Sequence, residues 1–251
     1  MKIVVIGGTG RIGSLLVASL RRHGQEAVPA APETWVDTLT GRGLGEVLTG
    51  AQVVVDLANS PSLEDEPAMA FFQTAGRNLL AAEQAAGVSH HIALSIVGAD
   101  RLPASGYLRA KVAQEALIKA SPIPYTIVRS TQFLPFIEGI IRSASLDGQI
   151  RLSPALMQPI HPDDVVAALT EVTLGAPMNG TIEIAGPEAI PINRFAEEYL
   201  SAKGDARAVI ADPAAPYFGA VLEARSLVPE GPARLGATSL ADWLREAIPA
   251  D

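Results

Sequence analysis

The sequence predicts an α/β fold, a doubly wound parallel sheet with a small C-terminal lobe. Three observations predict it. Short β-branched runs alternate with stretches of helical apolar spacing from residue 3 to residue 202. The runs at 3–6 and 51–57 are dominated by apolar residues, as in strands covered on both faces. A glycine-rich segment, Gly7 to Gly13, joins the first strand to the first helical pattern.

The elements follow in order. Residues 3–6 form the first strand, and 14–22 a helix that Gly24 closes. Residues 26–30 read as a strand, 43–48 as a short helix and 51–57 as a buried strand. A long helix at 68–86 ends at Gly87. The strand at 91–96 precedes a helix at 108–120, which Ser121-Pro122 stops. A strand at 125–128, a helix at 163–174 opened by Pro162, a strand at 181–184 and a helix at 194–202 complete the order. Right-handed crossovers place helices on both faces of the sheet. Beyond about residue 175 the pattern is irregular and richer in proline. Residues 1–175 are therefore read as the main domain. Residues 176–251 are read as a small substrate lobe, interleaved with 133–162 and packed on the sheet's C-terminal edge.

Composition excludes several classes of function. The chain has 251 residues and no cysteine, which rules out a disulfide framework and a thiolate zinc site. A chain of this size buries roughly 70–75% of its unfolded surface and needs no staple. Its net charge is −8, from 19 Lys and Arg against 27 Asp and Glu. A nucleic-acid groove needs clustered positive charge, so none is expected. No apolar stretch reaches the roughly 18 residues of a membrane span. Met1-Lys2 leads directly into the first strand, with no small-residue cleavage site, so no signal peptide is read. These features predict a cytoplasmic protein without membrane or nucleic-acid partners.

The first motif is GGTGRIG, with Gly7, Thr9, Gly10, Arg11, Ile12 and Gly13 as the candidate cofactor contacts. A pyrophosphate must approach the backbone closely, and a helix N-terminus offers it free N–H groups and a positive dipole end. Bare glycine permits that approach. The spacing predicts a bound dinucleotide. No acidic residue follows the second strand until Glu33, and Arg11 stands in the turn. Both favour NADP, with NAD accepted, although Arg11 reads equally as a solvated surface charge.

The second motif is Tyr107 with Lys111, four apart on one helix face. A phenol with a pKa near 10 is a poor acid–base group at neutral pH, and a nearby cation lowers that value. Ser95, at the end of a strand, can donate to a substrate carbonyl oxygen. Other clusters read as structural. Adjacent His90 and His91 point to opposite faces of a strand, with no nearby acid to complete a ligand set. His161, Asp163 and Asp164 flank Pro162 at a helix start. Phe133, Leu134, Pro135 and Phe136 read equally as pocket lining or core, and Tyr217 with Phe218 as pocket lid or lobe packing.

GGTGRIG, Ser95, Tyr107 and Lys111 together resemble the short-chain dehydrogenase/reductase superfamily, in its extended and atypical branches that include NmrA-like proteins. The segments at 77–80, 124–129 and 159–165 are similar to further family stretches. The resemblance implies a Rossmann-type fold and hydride transfer between NAD(P) and a small carbonyl, alcohol or quinone-like substrate. It implies Tyr107 as proton donor, Lys111 on the ribose, Ser95 on the carbonyl and Asn78 as a supporting catalytic residue. It places Asp37 and Thr38, after a third strand, at the adenine, and Leu57, Ala58 and Asn59 beside the ribose and pyrophosphate. Arg129 falls at the nicotinamide end. It also allows a homodimer through helix pairs. Two other readings remain open: an NmrA-like sensor of NAD(P) that regulates a protein partner, and a redox-neutral enzyme that keeps its NAD bound.

Overall fold

The computed structural model describes residues 1–146 and 148–248. The chain opens with β1 (Lys2–Ile6), α1 (Arg11–Arg22), β2 (Glu26–Ala30), α2 (Leu44–Leu48) and β3 (Val53–Asp56). It continues with α3 (Asp65–Ala86), β4 (His90–Ile96), α4 (Gly106–Ala120), β5 (Tyr125–Ser130) and α5 (Ile137–Ser143). Next come β6 (Ser145–Leu146), β7 (Gln149–Leu152), β8 (Leu156–Met157), α6 (Pro162–Leu174), β9 (Gly180–Ala185) and β10 (Ile190–Pro191). The last elements are α7 (Ile192–Ala202), β11 (Val209–Ala211), β12 (Pro216–Tyr217), β13 (Ala220–Val221), β14 (Arg234–Leu235) and α8 (Leu240–Ala247).

Seven strands form one parallel sheet in the order β14-β9-β5-β4-β3-β1-β2. Side-chain alternation divides its two faces. Ile3, Val5, Val53, Val55, Ile92 and Val128 pack under α1 and α6, against Leu16, Leu20, Val165 and Leu169. Val4, Ile6, Val54, Ala93 and Ile127 pack on the other face, against Leu44, Leu48, Leu79 and Ile118. Strand order reverses direction between β1 and β3. A crevice forms outside the carboxyl ends of the strands at such a switch. A separate apolar core, around Ile140, Met157, Phe195, Leu227 and Trp243, holds the lobe.

Two expectations are corrected. β9 and β14 belong to the main sheet, so the domain boundary does not fall at 175. The lobe draws instead on the chain around α5–β8 and on β10–β13 and α8. No strand intervenes between β2 and Asp37, and Asp56 ends the third strand. Four helices begin two or three residues earlier than their apolar spacing suggests, at Arg11, Asp65, Gly106 and Ile192. At α3 the extra turn carries Asp65 and Glu66, whose charges suit the helix's positive end but add nothing to an apolar stripe.

The histidine pair is structural, but an acid does lie beside it. His90 Nε2 meets Thr126 Oγ1 at 2.9 Å, and His91 Nδ1 meets both carboxyl oxygens of Glu83 at 2.9 Å. Burial, then the neighbouring His91, pushes the His90 imidazole down to about 4. Burial also presses His91 toward neutrality, yet the Glu83 carboxylate outweighs it and holds the imidazole above its ordinary range. Among the described residues no cluster of three or more metal-ligating groups occurs. No helix among them is long and apolar enough to cross a membrane.

Glu83 is fully buried, so its removal leaves His91 without its counter-charge. Glu83→Ala is expected to lower the unfolding free energy by about 3–5 kcal/mol in urea titrations. A loss under about 1 kcal/mol would put the pair in the class of exposed ion pairs.

Candidate functional site

A cleft of about 460 Å³ lies at the strand switch. Its base is the turn from β1 into α1. Gly7 has φ +71°, and a Cβ there would stand 2.9 Å from the Leu57 carbonyl oxygen. At Gly13 a Cβ would stand 2.1 Å from the Gly7 carbonyl oxygen, so only glycine lets the helix dock on the turn. Helix α1 has no side-chain cap and no acid in its first turn, which leaves its N-terminal N–H groups facing the crevice. That combination of a bare backbone and an uncapped positive helix end suits a pyrophosphate.

The loop after β3 forms the adjoining wall. Asp56 is buried, and its Oδ1 accepts from the Ala58 amide at 3.0 Å. Its Oδ2 accepts from Gln114 Nε2 at 2.8 Å. Gln114 in turn accepts from Lys111, whose Nζ also donates to the Leu94 carbonyl at 2.9 Å. The ammonium lies 4.6 Å from the centre of the Phe72 ring. Burial drives the Lys111 pKa down to about 8, against the opposing pull of Asp56 and Glu115. Tyr107, one turn earlier on α4, donates to Asn59 Oδ1 at 2.8 Å. Burial raises the Tyr107 pKa above its ordinary value, only partly offset by Asn59. The expected lowering by Lys111 is therefore not what this arrangement produces.

The cleft brings together Gly7, Gly10, Arg11, Ile12, Gly13, Leu57, Ala58, Asn59, Tyr107 and Lys111. Ser95 also reaches its lining, but its Oγ donates to Glu115 Oε1 at 2.7 Å, so the hydroxyl is turned toward α4. Arg129 is corrected outright. Its guanidinium bonds Glu115 at 2.9 and 2.8 Å and Asp100 at 2.8 Å, behind the sheet edge of the cleft. Burial pushes Glu115 up, but Arg129 and the Ser95 hydroxyl outweigh it and hold the carboxyl low. Asn78 is likewise no part of the reacting end. Its amide donates to the Thr38 and Leu39 carbonyls, both at 2.9 Å, and braces the loop after β2. In that loop Asp37 accepts from the Leu39 amide at 2.8 Å. Thr9 Oγ1 donates to Glu33 at 3.2 Å, outside the cleft lining.

Sequence reasoning missed Thr131 and Gln132, which line the cleft where β5 ends. Thr131 Oγ1 and Gln132 Oε1 are buried without a hydrogen-bond partner. Their signal was positional: two polar residues at a strand exit, directly before an aromatic run. That run divides its roles, because Phe133 and Phe136 line the cleft and Leu134 enters the lobe core. Tyr217 and Phe218 line the cleft from the lobe side and also pack on that core.

The comparisons agree with this architecture. A family model described as NAD(P)H-binding matches residues 34–139, which include the loop after β3, Ser95, Tyr107 and Lys111. A short-chain dehydrogenase/reductase superfamily protein from Agrobacterium tumefaciens with bound NAD superposes with TM-score 0.73 at 17% identity. That match covers 99% of this chain and 96% of the other. A UDP-glucose 4-epimerase from Thermotoga maritima gives 0.76 at 18% identity, over 99% and 97% of the two chains. An NADPH-dependent quinone oxidoreductase from Escherichia coli gives 0.72 at 18%, over 98% and 99%. No protein of curated function matches the sequence. The fold is a Rossmann-type parallel sheet, shared with solved proteins of the short-chain dehydrogenase/reductase superfamily.

Gly13→Ala forces the turn and α1 apart. Overpacking of this kind is worth about 1–3 kcal/mol, which corresponds to about fivefold to 150-fold in affinity. Fluorescence titration with NADH and NADPH is expected to show that loss. Unchanged affinity for both would dissociate the turn from coenzyme binding.

Proposed function

We propose that this chain is an NAD(P)H-dependent oxidoreductase acting on a small organic carbonyl, alcohol or quinone-like substrate, with Tyr107 as the acid–base group. One observation carries the reading. The phenol of Tyr107 lies in the cleft that the glycine turn opens into, bonded at 2.8 Å to an asparagine of the neighbouring loop. The coenzyme, when bound, supplies the hydride. The backbone of Gly7, Thr9, Gly10, Arg11, Ile12 and Gly13 holds its pyrophosphate, and Leu57, Ala58 and Asn59 flank it. Asp37 and Thr38 serve the adenine end, with Asn78 as the brace of their loop. Lys111 fixes the end of β4 through the Leu94 carbonyl.

Tyr107 donates its proton to the substrate oxygen as negative charge develops there. Burial raises the phenol above its ordinary range, so it stays protonated at neutral pH and stands ready as a donor. Ser95 donates to Glu115 in this arrangement, and Thr131 is an unpartnered hydroxyl in the cleft lining. The quinone oxidoreductase that shares the fold supports the substrate class. The second reading, a coenzyme sensor without turnover, draws on the same ties of Ser95 and Lys111 to protein acceptors. Coenzyme oxidation with a panel of aldehydes, ketones and quinones separates the two.

NADPH is the proposed coenzyme, with NADH accepted. Arg11 stands in the wall of the cleft and favours a 2′-phosphate. Glu33, beside Thr9, opposes it. Arg11→Ala is expected to weaken NADPH by about tenfold and NADH little, a difference the size of one charge-assisted hydrogen bond. Glu33→Gln should shift preference further toward NADPH. Equal effects of Arg11→Ala on both coenzymes would remove the assignment.

Tyr107→Phe is expected to cut kcat by about 10²–10⁴-fold while leaving coenzyme affinity intact. The raised pKa places the fall of reductive kcat above pH ~10, where the phenol loses its proton. A parent enzyme whose kcat already declines between pH 7 and 9 would point to another donor.

A further inference from the structure

The lobe reaches the cleft through a two-residue hairpin. β12 and β13 pair antiparallel, with Tyr217 opposite Ala220. Phe218 and Gly219 form the turn, with φ values of +45° and +87°. A tight hairpin of this kind needs left-handed backbone at both central positions, which is why asparagine–glycine is the usual pair. A bulky aromatic there is an outlier. It persists where the surroundings fix it, and such positions gather at ligand sites.

The surroundings are aromatic. The Phe218 ring stacks on Phe136 at 5.6 Å and 21°, and meets the Tyr217 ring edge-on at 4.8 Å and 88°. Phe136 nonetheless keeps 41% of its surface exposed at the mouth of the cleft. In the same lining the buried Gln132 Oε1 has no hydrogen-bond partner, and the Gln132 side chain lies within hydrogen-bonding reach of the Tyr217 phenol. A hydrophobic wall closed only by packing needs neither a strained phenylalanine nor an unsatisfied acceptor in its lining.

We infer that Phe218, held in left-handed backbone at the tip of this hairpin, is the specificity residue of the cleft. With Phe136, on which it stacks, it forms one jaw of a clamp for a planar aromatic substrate whose hydroxyl or N–H donates to Gln132 Oε1. This rests on the proposed oxidoreductase reading, and it narrows the substrate to aromatic carbonyl compounds that carry a ring hydroxyl or N–H. A flat ring offers a face to stack on this pair. A saturated ring of equal size offers neither the face nor the fit. The unpaired acceptor then discriminates against rings without a donor.

Calorimetric binding of 2-naphthol, naphthalene and cyclohexanol to the full chain tests the clamp without requiring turnover. The parent protein is expected to bind 2-naphthol at least tenfold tighter than either of the others. Phe218→Asn suits the turn, so it should melt within a few degrees of the parent and bind NADPH equally well. Its affinity for 2-naphthol should fall by at least tenfold. Gln132→Leu should lose the preference for 2-naphthol over naphthalene and keep that over cyclohexanol. Phe218→Asn with parental 2-naphthol affinity would overturn the inference, as would a parent that does not distinguish the three probes. Binding as expected, with no coenzyme oxidation by any hydroxyaryl aldehyde or ketone, would support the clamp and overturn only the oxidoreductase reading.

Discussion

The carboxylate of Asp56 ties the cleft together. One oxygen caps the loop that carries Asn59, and the other holds Gln114, which holds Lys111. A buried charge without partners is strongly disfavoured, so each of these groups fixes the position of the next. The chain of bonds joins the exit of β3 to the middle of α4. It places Tyr107 against Asn59 and anchors the Lys111 ammonium on the end of β4. Without Asp56, the loop and the helix would keep the hydrogen bond of Tyr107 to Asn59 but lose the chain of bonds that fixes Lys111.

A second network lies one strand further along the sheet. Ser95 and Arg129 are register partners on β4 and β5, and both reach Glu115 on α4. Asp100 adds a further charge on Arg129. α4 thus carries two separate polar systems, one around Lys111 and Gln114 and one around Glu115. The first faces the crevice. The second locks the helix to the sheet, and this division explains why a serine at a strand end here serves structure.

Much of the fold was legible in the residues themselves. β2 lies where its five residues suggested, because Gly24 ahead of it and Pro32 after it limit the strand. The glycine turn was legible because its steric demand is local: Gly13 must pass within contact of Gly7. Tyr107 and Lys111 were legible as one face of a helix, yet their bonds run to different partners. Ser95 and Arg129 were misjudged for a geometric reason. Successive strand residues point to opposite faces. Both side chains share the face of Ala93 and Ile127, under α4, and nothing local announces that Glu115 waits there. Asn78 was misjudged because its partners, the carbonyls of Thr38 and Leu39, lie on a loop about forty residues away. Thr131 and Gln132 escaped notice because an unsatisfied buried atom is a property of three-dimensional surroundings, with no spacing to betray it.

The interleaving of lobe and sheet has a consequence for how the molecule is made. The polypeptide leaves the sheet after β5, returns for α6 and β9, leaves again for β10 through β13, and returns for β14 before α8 docks on the lobe. Neither body is a contiguous stretch of chain, so each is completed only after part of the other has been synthesised. The edge of the sheet stays open until residues 234–235 have been synthesised. The coenzyme turn at residues 7–13 and the wall at Tyr217 and Phe218 therefore stand at opposite ends of the chain, and the cleft gains its lobe side only once the hairpin of β12 and β13 has been made.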